Sequence, residues 1–274
     1  MIKYLDMENA SIEIDLKTIK EYEACLLLNY SSFLSLNIKR LTFNIKENDI
    51  KQLIELLNTY FKKDNILLII KVFLTSKKTY KLFNNVIVFN TNKNNIIKSM
   101  QNVYNFIDLN NENLELICQL IKNDENVIVN PIVDTLKIAD FVNILNLLTK
   151  EVNGKDINLD GFLISANLMR EHPCNSYLCN GWKCGKKIST LPKVLYIDEK
   201  MNVFPHKIIF NKLKIGNVKS TDLDEVLQKY LGSKQYLLFN DICHRVFIKY
   251  LTNYPYELMP LTSYIEMEVA NEKD

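Results

Sequence analysis

The chain has 274 residues, 47% of them hydrophobic and 24% charged, which is enough apolar content to bury one large core or two small ones and excludes wholesale disorder. Its 34 basic and 32 acidic side chains leave a formal charge of +2, so no general electrostatic attraction to a nucleic acid or an anionic membrane is expected. Glycine and proline stand at six each against 34 asparagines and 31 lysines, a usage that reads as AT-rich coding bias rather than low complexity.

The first twenty residues alternate charged and apolar groups without the apolar core of a secretory signal, and the chain is expected to be cytoplasmic. From Leu16 to Leu36 apolar residues recur at helical spacing through Ile19, Tyr22, Cys25, Leu26, Tyr30 and Phe33. Leu41 to Ile45 reads as a strand, and Asn48 offers an N-cap for a helix through Leu53, Leu56, Leu57 and Phe61. The run from Ile66 (ILLIIKVFL) is nearly continuous in apolar residues, as expected of a strand covered on both faces, and is far too short to span a bilayer. NVIVFN from Asn85 is a further strand, followed by helical spacing through Ile96, Ile97, Met100, Val103 and Phe106 and by a helix from Leu114 to Ile121. NVIVNPIV from Asn126 is another strand. Asp134 and Thr135 then open a helix through Ile138, Phe141, Ile144, Leu147 and Leu148, and GFLISA from Gly161 closes the series.

Strands separated by such crossovers predict an α/β fold: an open parallel sheet or an incomplete barrel over residues 1–170, then a small C-terminal domain over 171–274. The periodicity stops near residue 170. LYID and VFPH then predict two short strands around a turn at Glu199 to Asn202, and Ser220 or Thr221 caps a helix through Leu223, Val226, Leu227 and Tyr230. The final apolar stretch, YLLFNDICHRVFIKYL, predicts one more helix.

No glycine-rich phosphate loop follows a strand, and the three histidines lack the paired spacing of a zinc protease, so no catalytic or cofactor-binding residue is assigned on these grounds. The acids Asp156, Asp160, Asp222, Asp224 and Glu225 read as solvated groups or as helix-start residues. Six cysteines in a reducing compartment are not a disulfide framework. Cys25 and Cys118 sit on apolar helix stripes and read as core. Cys174, Cys179 and Cys184 follow one another at gaps of four residues, with Gly181 before and Gly185 directly after the last of them, and His206 supplies a fourth donor. Three soft ligands and an imidazole suit zinc or an iron–sulfur cluster, while the absence of a compact CxxC knuckle leaves a metal-free packed cluster open. A nucleophile pair of Cys174 or Cys184 with His172 is a third alternative.

The order of features from His172 to Tyr230, namely HPC, CNGWKCG, the hairpin YIDEKMNVFPH, then KIGNV and the helix DLDEVLQKYL, resembles the SPASM domain that follows the partial barrel of radical S-adenosylmethionine peptide maturases. Asp198, Val203, Phe204 and Pro205 match that family's hairpin, and Ile215, Gly216, Asn217 and Val218 match its LGNI-like tetrapeptide. Met201 stands where the family has its turn glycine and His206 where it has a cluster-binding cysteine. The CxxxCxxC motif of the catalytic cluster is missing, so the resemblance implies no S-adenosylmethionine cluster and no independent radical chemistry. It implies instead a degenerate, non-radical accessory in the maturation of a ribosomally made peptide. The expected partners are a precursor peptide or a neighbouring peptide-modifying enzyme, with no nucleic acid or membrane. The alternative expectation is a metal-dependent enzyme or sensor using Cys174, Cys179, Cys184 and His206. An unrelated α/β domain ending in a cysteine-bearing loop is the plainest alternative.

Overall fold

A computed structural model describes residues 2–5, 11–76, 78–98, 100–130, 138–160, 163–165, 194–204, 214–231, 233–234 and 258–260. Over these the chain is an α/β protein built on a mostly parallel open sheet flanked by helices. In chain order the first elements are β1 (Ile2–Leu5), β2 (Ser11–Ile14), helix α1 (Ile19–Ser35), β3 (Arg40–Ile45), helix α2 (Ile50–Phe61), β4 (Leu67–Val72) and β5 (Val86–Asn90). They are followed by β6 (Val103–Asp108), helix α3 (Leu114–Lys122), β7 (Val127–Asn130), helix α4 (Ile138–Glu151) and β8 (Ile157–Asp160). The C-terminal set is β9 (Leu163–Ser165), β10 (Val194–Ile197), β11 (Asn202–Phe204), β12 (Gly216–Asn217), helix α5 (Leu223–Leu231) and β13 (Leu258–Pro260).

The spatial order is β1-β8-β7-β6-β5-β4-β3-β2-β10-β11-β12, in which the nine strands from β1 to β10 pair in parallel and β11 and β12 add antiparallel. From β2 to β8 spatial order follows chain order without reversal, so successive crossovers step one strand at a time in one direction. β9 and β13 form a separate antiparallel pair. GFLISA, expected as the next strand of the parallel sheet, therefore belongs elsewhere, and INLD at β8 takes that place.

Local chemistry explains the helix ends. The Thr18 side chain accepts from the Glu21 amide while the Glu21 carboxylate accepts from the Thr18 amide, a reciprocal cap that starts α1. The same helix stops where Asn37 turns left-handed (φ 53°) and the Ile38 amide donates back to the Phe33 carbonyl. Asp124 (φ 56°) plays the same part after α3, with the Glu125 amide on the Leu120 carbonyl. With Asn102 and Asn153, four of the five non-glycine left-handed residues among those described are Asn or Asp, so in a glycine-poor chain the abundant asparagines take positions that glycine usually fills. The helix α5 is capped by Asp222, whose carboxylate accepts from the Glu225 amide, rather than by Ser220 or Thr221. Before α2 a short 3-10 turn (Glu47–Asp49) replaces the expected Asn48 cap.

Two crossovers carry no helix. Between β5 and β6 the expected helix through Ile96, Met100 and Val103 is absent among the described residues: 91–98 and 100–102 are loop and Val103 to Asp108 is a strand. Spacing misleads here because β6 is apolar on both faces, Val103 and Ile107 on one and Tyr104 and Phe106 on the other. Buried asparagines hold this loop to the sheet. Asn105 Nδ2 donates to the Ile97 and Asn126 carbonyls while its Oδ1 accepts from the Ile97 amide and from Asn90 Nδ2. Asn85 likewise donates to three carbonyls, of Phe61, Asp64 and Ile66.

The main core lies where α1, α2 and α5 cover Ile12, Ile14, Leu41, Phe43, Leu68, Ile70, Val86, Val88, Leu195, Ile197 and Val203. A second core lies under α3 and α4 against Ile107, Val127, Val129 and Ile157. The hairpin β10–β11 extends the same sheet through parallel pairing of β10 with β2, and α5 is fastened to α1 by the Leu223 amide on Asn29 Oδ1 at 2.8 Å. The expected boundary near residue 170 and the expected helix after Gln235 lie outside the described residues. Among the described residues no helix is long and apolar enough to cross a membrane.

Candidate functional site

Strand side chains alternate, so each strand that points one set of residues at the helices points the other set to the opposite face. Since β2 to β8 commit Ile12, Leu41, Leu68, Val88, Ile107, Val129 and Ile157 to the helix side, the five described helices cover one face. The other face carries Glu13, Arg40, Thr42, Asn44, Ile69, Lys71, Phe89, Tyr104, Phe106, Asp108, Ile128 and Asn130, brought side by side by the register. No described helix lies over it.

That helix-free face divides along the strands. Across its middle, Ile69, Phe89, Phe106 and Ile128 form a small apolar cluster, with Phe89 and Phe106 stacked at 5.1 Å and Tyr104 edge-on to Phe89 at 6.4 Å. Toward the carboxyl ends the face becomes polar. Lys71 Nζ lies 3.9 Å from Glu13 Oε2 and 4.7 Å from the centre of the Phe106 ring, and Asn44 Nδ2 donates to Glu13 Oε1 at 2.8 Å. The Lys71 and Glu13 side chains are only 15% and 22% exposed, so the pair is largely withdrawn from water and its geometry is set by the strands beneath it. Arg40, nearly buried at the opposite end of β3, donates to Thr42 Oγ1.

The carboxyl rim continues the polar character. Tyr196 of β10 donates to Asp15 at 3.1 Å, Asn130 donates to Asp108 at 2.8 Å, and Lys17 pairs with Glu199 at 2.9 Å. Burial and the neighbouring Asp15 carboxylate hold the Tyr196 phenol well above its ordinary range, so it stays a neutral donor. Phe106 and Asp108 also line a cavity of about 360 Å³ with Phe73, Asn92, Asn110 and Asn113, at the ends of β4 to β6. In parallel α/β sheets ligands bind beyond the carboxyl ends of the strands, and with no reversal of order from β2 to β8 there is no switch-point crevice to compete with this rim.

The arrangement offers a cation with an aromatic face, a carboxylate and amide donors around a partly apolar floor, a set that can hold a zwitterionic or peptide group without any redox centre. Sequence reasoning did not single out Glu13, Asn44, Lys71 or Phe106. Glu13 is readable as the polar partner of Ile12 and Ile14 in an alternating strand, but Lys71 inside ILLIIKVFL is the stronger signal: a lysine interrupting a strand buried on both faces.

Cys174, Cys179, Cys184 and His206 lie outside the described residues, as do His172, Cys243 and His244. Among the described residues no group of three His, Cys, Asp or Glu side chains is placed to hold a metal. Cys25 and Cys118 are free thiols inside helices; burial pushes the Cys25 thiol up to about 12 and keeps it unreactive at neutral pH. Asp222, Asp224 and Glu225 sit at the start of α5.

The hairpin shows what its motif residues do. The Asp198 carboxylate accepts from the Lys200 and Asn202 amides and from Asn202 Nδ2, closing the turn from within. Met201 adopts φ 60°, the backbone of a turn glycine, with its side chain packed into the core. A Cβ on Gly216 would come within 2.6 Å of the Val226 side chain, so this strand and α5 approach only because residue 216 has none. Comparison with protein-family models and with curated proteins finds no match.

Proposed function

We propose that this chain is a non-radical accessory protein in the maturation of a ribosomally made peptide, gripping the precursor or its modifying enzyme on the helix-free face of a rolled sheet. The observation that carries the reading is the cluster of Glu13, Asn44, Lys71 and Phe106 at the carboxyl ends of the strands, on the face left without helices.

Rolling of the sheet into a partial barrel is supported by three independent features. A sheet wound in one direction with every described helix on one face buries the other face, among the described residues, by curling around it. Ile69, Phe89 and Ile128 are almost fully buried on that other face. Finally, β1 and β2 lie seven strand steps apart in the sheet order, about 34 Å if flat at about 4.8 Å per step. The six residue steps from Leu5 to Ser11 reach at most about 22 Å.

The degenerate SPASM-like reading of the C-terminal part is supported by the roles of Asp198, Met201 and Gly216, which do what that hairpin and tetrapeptide require. A scaffold of this kind retains a concave polar face while lacking the thiolates of a catalytic cluster in its barrel-like part, where Cys25 and Cys118 are far apart and buried in separate helices.

The test is binding of labelled precursor peptides and of modifying enzymes encoded beside the gene. A dissociation constant on the order of micromolar or tighter is expected for one of them, weakened about tenfold by Lys71→Met, which keeps the stem over Phe106 and removes the charge. Failure to bind either class of partner ends the reading.

A further inference from the structure

Away from the helix-free face, a groove of about 1090 Å³ runs between α2 and residues 78–83. One wall is the outward stripe of α2, where Lys51, Glu55, Asn58 and Lys62 recur at helical spacing and are exposed. The other wall carries Lys78 and Lys81, also exposed. Its floor is apolar: Ile54 belongs to the main core, and Tyr80, Leu82 and Phe83 pack against it.

Both carboxylates of the groove are already engaged. Glu47 accepts the amides and hydroxyls of Thr75 and Ser76, whose donors hold its carboxyl down at about 2, and Glu55 faces Lys51 at 4.0 Å. Among the described residues none forms an ion pair with Lys62, Lys78 or Lys81. The groove therefore presents uncompensated positive charge over an aromatic floor.

Two further features define its occupant. Residues 78–82 lie outside any helix or strand, and among the described residues nothing receives or gives a hydrogen bond to their backbone. The Tyr80 hydroxyl is buried without a partner among the described residues, a group taken from water with its hydrogen bond not replaced. A free run of amides and carbonyls is matched by another polypeptide main chain, and the groove exceeds the usual size of a small-molecule pocket.

We propose that this groove binds an acidic peptide segment, its carboxylates meeting Lys62, Lys78 and Lys81 and its main chain pairing with residues 78–82. That the segment belongs to a peptide under maturation rests on the function proposed above; the peptide binding itself does not.

The probe is a short fluorescein-labelled peptide alternating glutamate with leucine, followed by anisotropy on the full chain. A dissociation constant on the order of tens of micromolar is expected, rising several-fold between about 50 and about 300 mM salt. The triple variant Lys62→Glu/Lys78→Glu/Lys81→Glu, at exposed positions and with an unchanged circular dichroism spectrum, is expected to lose more than about tenfold in affinity. Methylating alternate backbone nitrogens of the probe is expected to cost a similar factor. Equal affinity for a lysine-for-glutamate probe, an unchanged affinity of the triple variant, or tighter lysine-dependent binding of a single-stranded oligonucleotide overturns the proposal. If the acidic probe binds and no precursor or neighbouring enzyme does, the groove stands and the maturation reading falls. Precursor binding that is lost in Lys71→Met but unaffected by the triple lysine variant overturns the assignment of the groove's segment to a peptide under maturation and leaves both the maturation reading and the groove's own peptide binding intact.

Discussion

The two faces of the central sheet are made by the same strands, yet they obey different rules. The helix-covered face is aliphatic and aromatic beneath α1 and α2, where Leu41, Phe43, Leu68, Ile70 and Val88 are inaccessible to solvent, and its buried amides, Asn90 and Asn105, lie where the loop after β5 replaces a helix. The helix-free face sets a buried aromatic cluster beside Arg40, Glu13 and Lys71, charges that are costly to withdraw from water. Apolar packing, with amides that satisfy a loop backbone, explains the first face. The second carries buried polarity that costs stability, which is the property that the proposed recognition surface calls for.

The sharpest way to break this comparison is a core truncation on the covered face. Phe43→Ala removes a fully buried ring that meets Tyr22 edge-on at 5.8 Å, and a loss of about 3–5 kcal/mol is expected in chemical denaturation. If partner binding by the folded fraction changes as well, the two faces are not separable. A smaller effect is expected at the loop that replaces a crossover helix. Asn105→Ala orphans the Ile97 amide and the Ile97 carbonyl, while the Asn126 carbonyl keeps the residue 105 amide, which costs about 1–3 kcal/mol and exposes residues 91–98 to faster amide exchange. Unchanged exchange there means that the asparagine network does not hold the loop.

The smallest effect is a pH dependence. The Glu47 carboxyl lies below its ordinary value because Ser76 and Thr75 donate to it, so its contribution is present above the unfolded value near 4.3 and is lost as pH falls toward about 2. Because the group is half-exposed, solvent screening keeps the global effect slight, and the readout is local: lower protection of the Thr75 and Ser76 amides, relative to their intrinsic exchange rates, below about pH 4, a pH dependence abolished in Glu47→Gln.

Much of this fold is legible along the chain. The runs that became β3, β4, β5 and β7 and the stripes that became α1, α2, α3 and α5 carry their periods openly, because each buries one continuous apolar set. The hairpin at Asp198 is equally local: an acid that closes its own turn and a left-handed residue three positions later. Legibility fails where the apolar residues of a two-sided strand also match helical spacing, or where partners are distant. Tyr104 and Phe106 on the back of β6 turned a strand into an apparent helix. The asparagines, dismissed as compositional bias, are left-handed caps and loop anchors whose need arises only once glycine is scarce and the crossover lacks a helix.

The candidate site marks the same boundary. By itself the amino-acid order determined the α/β class, the alternation that assigns residues to opposite faces of each strand, and a lysine set within an apolar run. Only the tertiary structure decided that β2, β3, β4 and β6 stand in an order that gathers Glu13, Asn44, Lys71 and Phe106 on one face, and that no described helix covers them. Local pattern fixes which way a side chain points because that is set by backbone period. Which strand lies beside it is set by the long-range pairing and winding of the sheet, a property of the whole chain.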